Sequence, residues 1–190
     1  SALNRVSIAL AQSPTLPHIF QTTFEHMSQL VDCPCFGITL YDSESRTLHP
    51  AYMLMDGERV DNALFPPLVL DRDVQRPGRT YAVFMQEAQI ITEVPDTGML
   101  IGDDRVPQSL LYMPMVAEGK TIGLLEFQSY RENAYGPNTV ALLGPVANQV
   151  SLAIQNARLV ADLETERSLL GQRVVERTAQ LNHTKERIET

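Results

Sequence analysis

The chain has 190 residues, of which 44% are hydrophobic and 20% are charged, and its formal net charge is −8 at pH 7. This length and composition predict one well-packed domain with an appendage rather than two full domains. The acidic balance argues against a nucleic-acid-binding surface, because such a surface needs clustered Lys and Arg to neutralise phosphates.

Cysteine content and hydropathy predict a cytoplasmic setting. Cys33 and Cys35, on either side of Pro34, do not make a disulfide framework, and a reducing compartment is the simplest interpretation. No apolar run approaches the roughly 18–20 residues that cross a bilayer, and no stretch has the pattern of a signal peptide. The chain begins without Met and ends within a helical pattern. We therefore expect it to be part of a longer protein.

The first part of the chain predicts a helix followed by two strands. Residues 16–31 carry a clear apolar period of 3.6 residues after a predicted N-cap at Thr15. Residues 35–41 and 47–54 read as two strands, the first of them clearly alternating. Pro50 in the second strand predicts an edge position or a bulge.

The middle of the chain predicts shorter elements. Residues 56–62 are polar and indicate a loop or a short helix, and residues 64–70 indicate a short strand after a bend. Residues 78–87 predict a short helix, and residues 89–94 a strand. Residues 95–108 contain two Pro and two Gly without a sustained period. They predict a loop or lid.

The clearest strand pair follows at residues 109–117 and 120–130. Glu118-Gly119 joins the two runs, a pairing that favours a tight β-hairpin. The order of helix, two strands, mixed segment, strand, hairpin and helix predicts an antiparallel sheet flanked by helices, which is an α+β arrangement.

A long terminal helix is predicted from residue 138 to residue 188, roughly 75 Å if it is continuous. Pro145 should kink this helix or reset its start near Gly144. A domain of this size cannot cover such a length, so a parallel coiled-coil homodimer is favoured over a solvated extension. Three of nine seam residues are polar, and Gly171 lies inside the helix, which makes the seam weak. The two seam positions hold Val160, Arg167, Val174, Leu181 and Ile188, and Leu163, Leu170, Arg177 and Thr184.

A recognisable set of residues runs through the hairpin and the helix after it. The set comprises Ser109, Pro114, Gly119, the run Ile122-Gly123-Leu124-Leu125-Glu126, Tyr135, Leu142-Leu143, Gln149, Ala153-Ile154, Asn156-Ala157 and Leu159. With these residues, the chain from Thr15 to Leu163 resembles the GAF family of sensory domains. The resemblance implies a six-stranded antiparallel sheet, with the terminal helices on one face and a lidded ligand cavity on the other. Residues 169–181 also resemble helices that connect such sensors to histidine kinases or other output modules.

Seven residues are candidate ligand contacts, with core packing as the alternative for each. Glu126 is an acid among apolar strand neighbours, so its carboxylate must be paired with another side chain, bound to a ligand or hydrated at a strand end. An acid at this strand position can face the ligand in cyclic-nucleotide-binding GAF domains. The resemblance implies the same for Glu126, although no NKFDE-like motif follows. Tyrosines offer apolar walls with hydrogen-bonding tips. The candidates are Thr39, Tyr41, Tyr52, Tyr81, Tyr112, Met113 and Glu126.

No enzyme activity, metal or cofactor is predicted, apart from an unknown small-molecule ligand. Some GAF proteins reduce free methionine sulfoxide with cysteines around the pocket, but Cys33 and Cys35 both precede one strand and the predicted lid has no Cys. No His falls at metal-ligand spacing from the cysteines, and His49 is the one His that could approach a pocket. The sequence contains no P-loop, GxGxxG, GxSxG or HExxH motif.

The predicted organisation has three parts. These are an incoming helix or linker at residues 1–14, a GAF-like sensory domain at 15–159 and a coiled-coil signalling helix at 160–190. The predicted function is a cytoplasmic, small-molecule-sensing regulatory domain of a signal-transduction protein, such as a histidine kinase of a two-component system, which relays ligand state through its homodimeric helix. Two alternatives stay open: a ligand-free dimerisation or spacer domain, and, less favoured, a GAF-type methionine sulfoxide reductase.

Overall fold

The computed structural model describes residues 9–10, 15–71, 77–93 and 105–188, with side chains as far as residue 180. The incoming helix predicted at residues 3–11 and the lid predicted at residues 95–108 fall mostly outside the described residues. The chain divides into two compact units, Ser1–Ile154 and Gln155–Thr190. The finer domain boundaries, at residues 14 and 159, stay predictions.

The first unit is built on one antiparallel sheet. Its strands follow the order β3-β2-β1-β7-β6-β5, and β4 pairs with β2 beside that path. The predicted α+β class and antiparallel sheet are confirmed, with the two-residue strand β4 added to the six strands expected. In chain order the elements are α1 (Leu16–Met27), β1 (Cys35–Asp42), β2 (Thr47–Met55), β3 (Glu58–Val60), a 3₁₀ turn (Asn62–Leu64), β4 (Leu68–Val69), α2 (Arg79–Met85), β5 (Gln89–Ile91), β6 (Ser109–Ala117), β7 (Lys120–Ser129) and α3 (Pro137–Ile188).

The β6–β7 hairpin forms where the sequence predicts it. Glu118 and Gly119 make its two-residue turn, with φ values of 51° and 73°. Positive φ at both central residues is the geometry that matches the right-handed twist of the flanking strands. Glycine at the second position adopts it without a steric penalty.

The structure corrects three local predictions: the end of α1, the N-cap at Thr15 and the elements of residues 56–62. Helix α1 ends at Met27, and residues 28–31 form a turn in which the Val31 amide donates to the Met27 carbonyl at 3.1 Å. Thr15 occupies the N-cap position, but its side chain makes no capping hydrogen bond. Residues 56–62, expected as a loop or short helix, contain strand β3 and lead into the 3₁₀ turn instead.

Helix α3 begins at Pro137 and continues through Pro145. Of the two effects predicted for Pro145, a kink or a restart near Gly144, the restart is therefore wrong. Pro145 cannot donate to the carbonyl of Ala141, but both residues are exposed, so water can satisfy that carbonyl.

Alternation along the strands divides the side chains of the sheet between two faces. On the face that we call the α1 face, Phe36 of β1 contacts Phe127 of β7, with ring centroids 5.3 Å apart, and Phe24 of α1 lies 5.6 Å from Phe36. The opposite face, called the α2 face, carries a buried cluster shared by the strands and α2. The cluster consists of Leu48, Leu70, Ala82, Val83, Leu110, Tyr112 and Leu124.

Gly123 allows β1 and β7 to approach each other closely in the middle of the sheet. A Cβ atom at this position would lie 2.1 Å from the Thr39 carbonyl oxygen and 2.7 Å from Cε of Met115. No side chain fits at such distances, so glycine is required for the pairing that places Thr39 beside β7.

Candidate functional site

The candidate site is centred on the carboxylate of Glu126 in the middle of the sheet. Strand β7 lies between β1 and β6, and Glu126 pairs with Gly37 on one side and Tyr112 on the other. Its side chain is only 2% exposed. Burying a carboxylate is costly unless charged and hydrogen-bonding partners surround it.

Two side chains supply those partners, and a third packs against one of them. The Thr39 hydroxyl of β1 donates to Oε1 at 3.0 Å. Arg79, the first residue of α2, donates from Nε to Oε2 at 2.8 Å and places Nη2 2.7 Å from the same oxygen. The Arg79 guanidinium lies over the Tyr112 ring, 4.7 Å from its centroid. Glu126 is therefore an internally paired acid.

The pKa values of the two neighbours follow from this arrangement. Burial by itself lowers the pKa of Arg79, but the Glu126 carboxylate and Tyr112 raise it, and the net direction is upward. Burial raises the pKa of the Tyr112 phenol; the Arg79 charge lowers it and the Glu126 charge raises it, leaving it above 10.0. Arg79 is therefore charged and Tyr112 protonated at neutral pH.

Sequence reasoning missed Arg79, although two signals were present. A buried acid within a strand requires a cation, and Arg79 stands three and four residues before the buried Ala82 and Val83. That spacing puts the three side chains on one side of α2, the side that covers the sheet.

The structure brings together only part of the predicted set. Thr39, Tyr112 and Glu126 form the cluster. Tyr41 packs against the buried apolar cluster of the α2 face, which was described with the fold. It also contacts Phe84 of α2, with ring centroids 6.3 Å apart. Tyr81 lies half-buried on α2.

Tyr52 and Met113 are not brought to this face. Tyr52 contacts Phe20 of α1, with centroids 6.2 Å apart, because β2 contains a bulge: Ile38 pairs with Tyr52 and Thr39 with Pro50. The extra residue reverses the alternation of β2. Met113 pairs with Leu125 and follows Tyr112 directly, so it points to the α1 face.

Cys33 and Cys35 are both free and buried. Burial raises the pKa of the Cys33 thiol to about 12, and the charges of Asp32 and Cys35 add to the effect. The Cys35 sulfur lies 3.3 Å from the Tyr130 hydroxyl oxygen. A thiol that stays protonated at neutral pH is a poor nucleophile, so Cys33 is unsuited to reductase chemistry.

Other chemistry finds no support in the described part of the chain. No group of three or more His, Cys, Asp or Glu side chains there is placed to hold a metal ion. His49 is exposed on β2. Within the same residues, no helix has the length and apolar content needed to cross a membrane.

The sheet order, the helix on each face and the long terminal helix define a GAF-type α+β domain. Residues 13–155 match the GAF domain family, and the chain belongs to that family. A comparison with curated protein sequences gave no significant match.

Solved structures share this fold at low sequence identity. The GAF domain of an Acinetobacter phosphoenolpyruvate-protein phosphotransferase is similar, with a TM-score of 0.65 at 15% identity, over 85% of this chain and 95% of that one. A Neisseria meningitidis free methionine-R-sulfoxide reductase gives 0.60 at 18%, over 84% and 89%. The GAF domain of a Bacillus halodurans two-component sensor histidine kinase gives 0.53 at 15%, over 77% and 98%. At these identities the likeness is one of fold.

Proposed function

We propose that this chain is a cytoplasmic, small-molecule-sensing regulatory domain of a signal-transduction protein, a histidine kinase or similar, that relays ligand state through a dimeric C-terminal helix. The observation that carries the proposal is the Arg79–Glu126 ion pair. It places a charge-balanced, hydrogen-bonded cluster on the α2 face of the central strand. A sensor needs such polar groups to recognise a ligand on an otherwise apolar face.

The same pair offers a mechanism for the response. Arg79 is the first residue of α2, and its partner Glu126 pairs with both β1 and β6. A ligand that changes the contacts of Arg79 therefore changes how α2 sits on the sheet. Differential contacts of this kind supply typical allosteric coupling energies of about 1–3 kcal/mol.

We assign the ligand site to the α2 face. Its residues in this proposal are Thr39, Tyr41, Tyr81, Tyr112 and Glu126, with Arg79 added. Tyr52 and Met113 are left out because they lie on the α1 face.

The distal part of α3 supports the dimeric half of the proposal. In the unit Gln155–Thr190, large apolar side chains are at least half exposed. An isolated helix is marginal in water without a packing partner, and a second copy presents the same apolar side chains. The exposed residues are Leu159, Val160, Leu163, Leu169, Leu170, Val174 and Val175.

One observation favours a second candidate, a ligand-free dimerisation or spacer domain. Both oxygens of Glu126 are already satisfied by this chain, and aliphatic side chains fill the space between α2 and the strands. The reductase alternative gains no such support, because the pKa of Cys33 is raised rather than lowered.

Native mass spectrometry of the protein purified from cells tests the proposal. A sensor should retain a stoichiometric small molecule, or bind one in a calorimetric screen of cyclic nucleotides, amino acids and aromatic acids. Glu126→Gln should alter that binding, and Glu44→Gln, an exposed acid in the β1–β2 turn, should not. Absence of any bound mass and of any calorimetric hit would favour the spacer.

A further inference from the structure

We infer that the ligand of this site carries an oxyanion group, a carboxylate or a phosphate, which docks on the outward edge of the Arg79 guanidinium. The inference rests on the proposed sensing function and specifies the chemical class that the site would recognise. It is carried by the way in which the chain holds Arg79.

The orientation of the guanidinium is fixed by two contacts. Its Nε and Nη2 atoms both address Oε2 of Glu126, at 2.8 and 2.7 Å. Its plane is set over the Tyr112 ring, with a distance of 4.7 Å to the centroid. A planar guanidinium held on one edge and one face has its remaining donors aimed in a defined direction.

The remaining donors are the two N–H groups of Nη1 and one N–H group of Nη2. A guanidinium has five N–H groups, and the Glu126 contacts use the Nε–Nη2 edge. Within the described residues, no acceptor is hydrogen-bonded to Nη1. The Arg79 side chain is 35% exposed, whereas Glu126 is 2% exposed, so a ligand from solvent meets the arginine first, with Glu126 behind it as the counter-ion of the site. An oxyanion is the group that such an edge binds best.

A cationic ligand fits the site less well. It would have to displace Arg79 from Glu126, which would leave the guanidinium without its counter-ion in a partly buried place. An oxyanion leaves the Arg79–Glu126 pair intact and adds hydrogen bonds to it.

The neighbouring side chains can accept the body of the ligand. Gly37 stands opposite Glu126 without a side chain, and the Met53 thioether occupies that space, 3.1 Å from where a Cβ of residue 37 would lie. Methionine is unbranched and adapts to its surroundings, so Met53 can move to admit an apolar group.

Four aromatic probes of similar size test whether the ligand is an oxyanion: benzoate, phenyl phosphate, neutral benzamide and cationic benzylamine. Binding is followed by NMR of the arginine side-chain N–H groups and by calorimetry. We expect benzoate or phenyl phosphate, or both, to bind saturably below about 10 mM, to shift the Arg79 Nη signals and to leave its Nε–H bonded to Glu126. Comparison of these two probes shows which oxyanion is preferred. Benzamide and benzylamine should not bind.

Variants sharpen the test. Arg79→Lys keeps the positive charge but loses the paired N–H donors of the planar guanidinium. It should therefore weaken oxyanion binding tenfold or more. Arg105→Lys is the matched control, because Arg105 also contacts an acid, Asp56, at 2.7 Å and lies over a tyrosine, Tyr130, at 4.3 Å, but on the exposed surface. Arg105→Lys should leave oxyanion binding unchanged. Glu126→Gln removes the internal counter-ion and should tighten oxyanion binding several-fold. The wild-type probe series needs no variant and stands if Arg79→Lys fails to fold.

The contrary results are distinguishable. Binding of benzylamine that Glu126→Gln abolishes would overturn the oxyanion class and leave the sensing function standing. A native ligand that proves neutral or cationic would also overturn the oxyanion class and leave the sensing function standing. No binding of either oxyanion probe overturns the inference, and only the additional absence of any retained molecule would count against sensing itself.

Discussion

Arg79 and Glu126 stand 47 residues apart in the chain, and their side chains meet with Nη2 2.7 Å from Oε2. The pair joins the first residue of α2 to the centre of the sheet. Because the Glu126 side chain is almost wholly buried, water cannot replace Arg79 as its partner.

Removal of one partner should therefore cost much more than removal of both. Arg79→Met should lower the free energy of unfolding by about 3 kcal/mol, near the lower end for a broken buried pair because Arg79 is partly exposed. The double variant Arg79→Met, Glu126→Leu should recover most of that loss. Urea denaturation of the wild type, Arg79→Met, Glu126→Leu and the double variant completes a double-mutant cycle and measures both effects.

The Arg105–Asp56 pair provides the control for this cycle. Its side chains are 53% and 45% exposed, so Arg105→Met should cost about 1 kcal/mol or less. Equal losses for Arg79→Met and Arg105→Met would show that burial does not strengthen the Glu126 pair.

Gly123→Ala should destabilise the sheet by about 3 kcal/mol, since its methyl group would meet the Thr39 carbonyl oxygen of the neighbouring strand. Gly144→Ala is the control: nothing lies within 4 Å of its Cβ position, and alanine favours a helix by up to about 1 kcal/mol. Thermal unfolding of the two variants should show shifts of opposite sign. A Gly123→Ala protein as stable as the wild type would mean that β1 and β7 can separate here without cost.

Cys33 should react slowly with iodoacetamide. With its pKa raised from 9.0 to about 12, the thiolate fraction at pH 9 falls by a factor on the order of 500 relative to the unfolded chain. Because the folded-state pKa is the higher one, the stabilising contribution of this thiol is complete below pH 9 and is lost as the pH rises toward 12. Mass spectrometry of alkylated protein, with and without urea, measures the difference. Equal rates in the two states would contradict the buried, protonated thiol.

The sequence predicted those parts of the fold that depend on local pattern. The alternation of β1, the two-residue turn at Glu118-Gly119 and the apolar spacing of α1 each depend on residues close together in the chain. The Arg79–Glu126 pair is different: the spacing of Arg79 to Ala82 and Val83 puts it on the covered side of α2, but the acid that it meets is 47 residues away in the chain.

The two candidate ligand contacts that lie on the α1 face, Met113 and Tyr52, show how strand parity limits such predictions. Tyr112 and Met113 are consecutive on β6, so alternation alone already prevents both from facing one ligand. Tyr52 is different: the bulge between Ile38 and Thr39 in the β1–β2 register decides its face, and Pro50 indicated a bulge without indicating its effect on parity.

The proposed dimer should depend on the exposed apolar side of α3. Leu163→Lys with Leu170→Lys should convert a dimer to a monomer, because both replace exposed leucines at the same seam position. Ala161→Lys adds a similar charge about 160° around the helix from Leu163 and should leave the dimer intact. Sedimentation velocity separates the species. A monomeric wild type at micromolar concentration, or a dimer that survives both leucine changes, would contradict the proposal.

Relay of ligand state to the helix can be measured with spin labels at Ser168→Cys, an exposed position about 140° from Leu163 around α3, in a Cys33→Ala, Cys35→Ala background. The distance between the two labels of a dimer is recorded by double electron–electron resonance, first with the molecule retained on purification or found in the calorimetric screen, and then without it. We predict two different distance distributions, and Arg79→Lys should reduce the difference. Identical distributions in the presence and absence of a bound ligand would contradict the proposed relay.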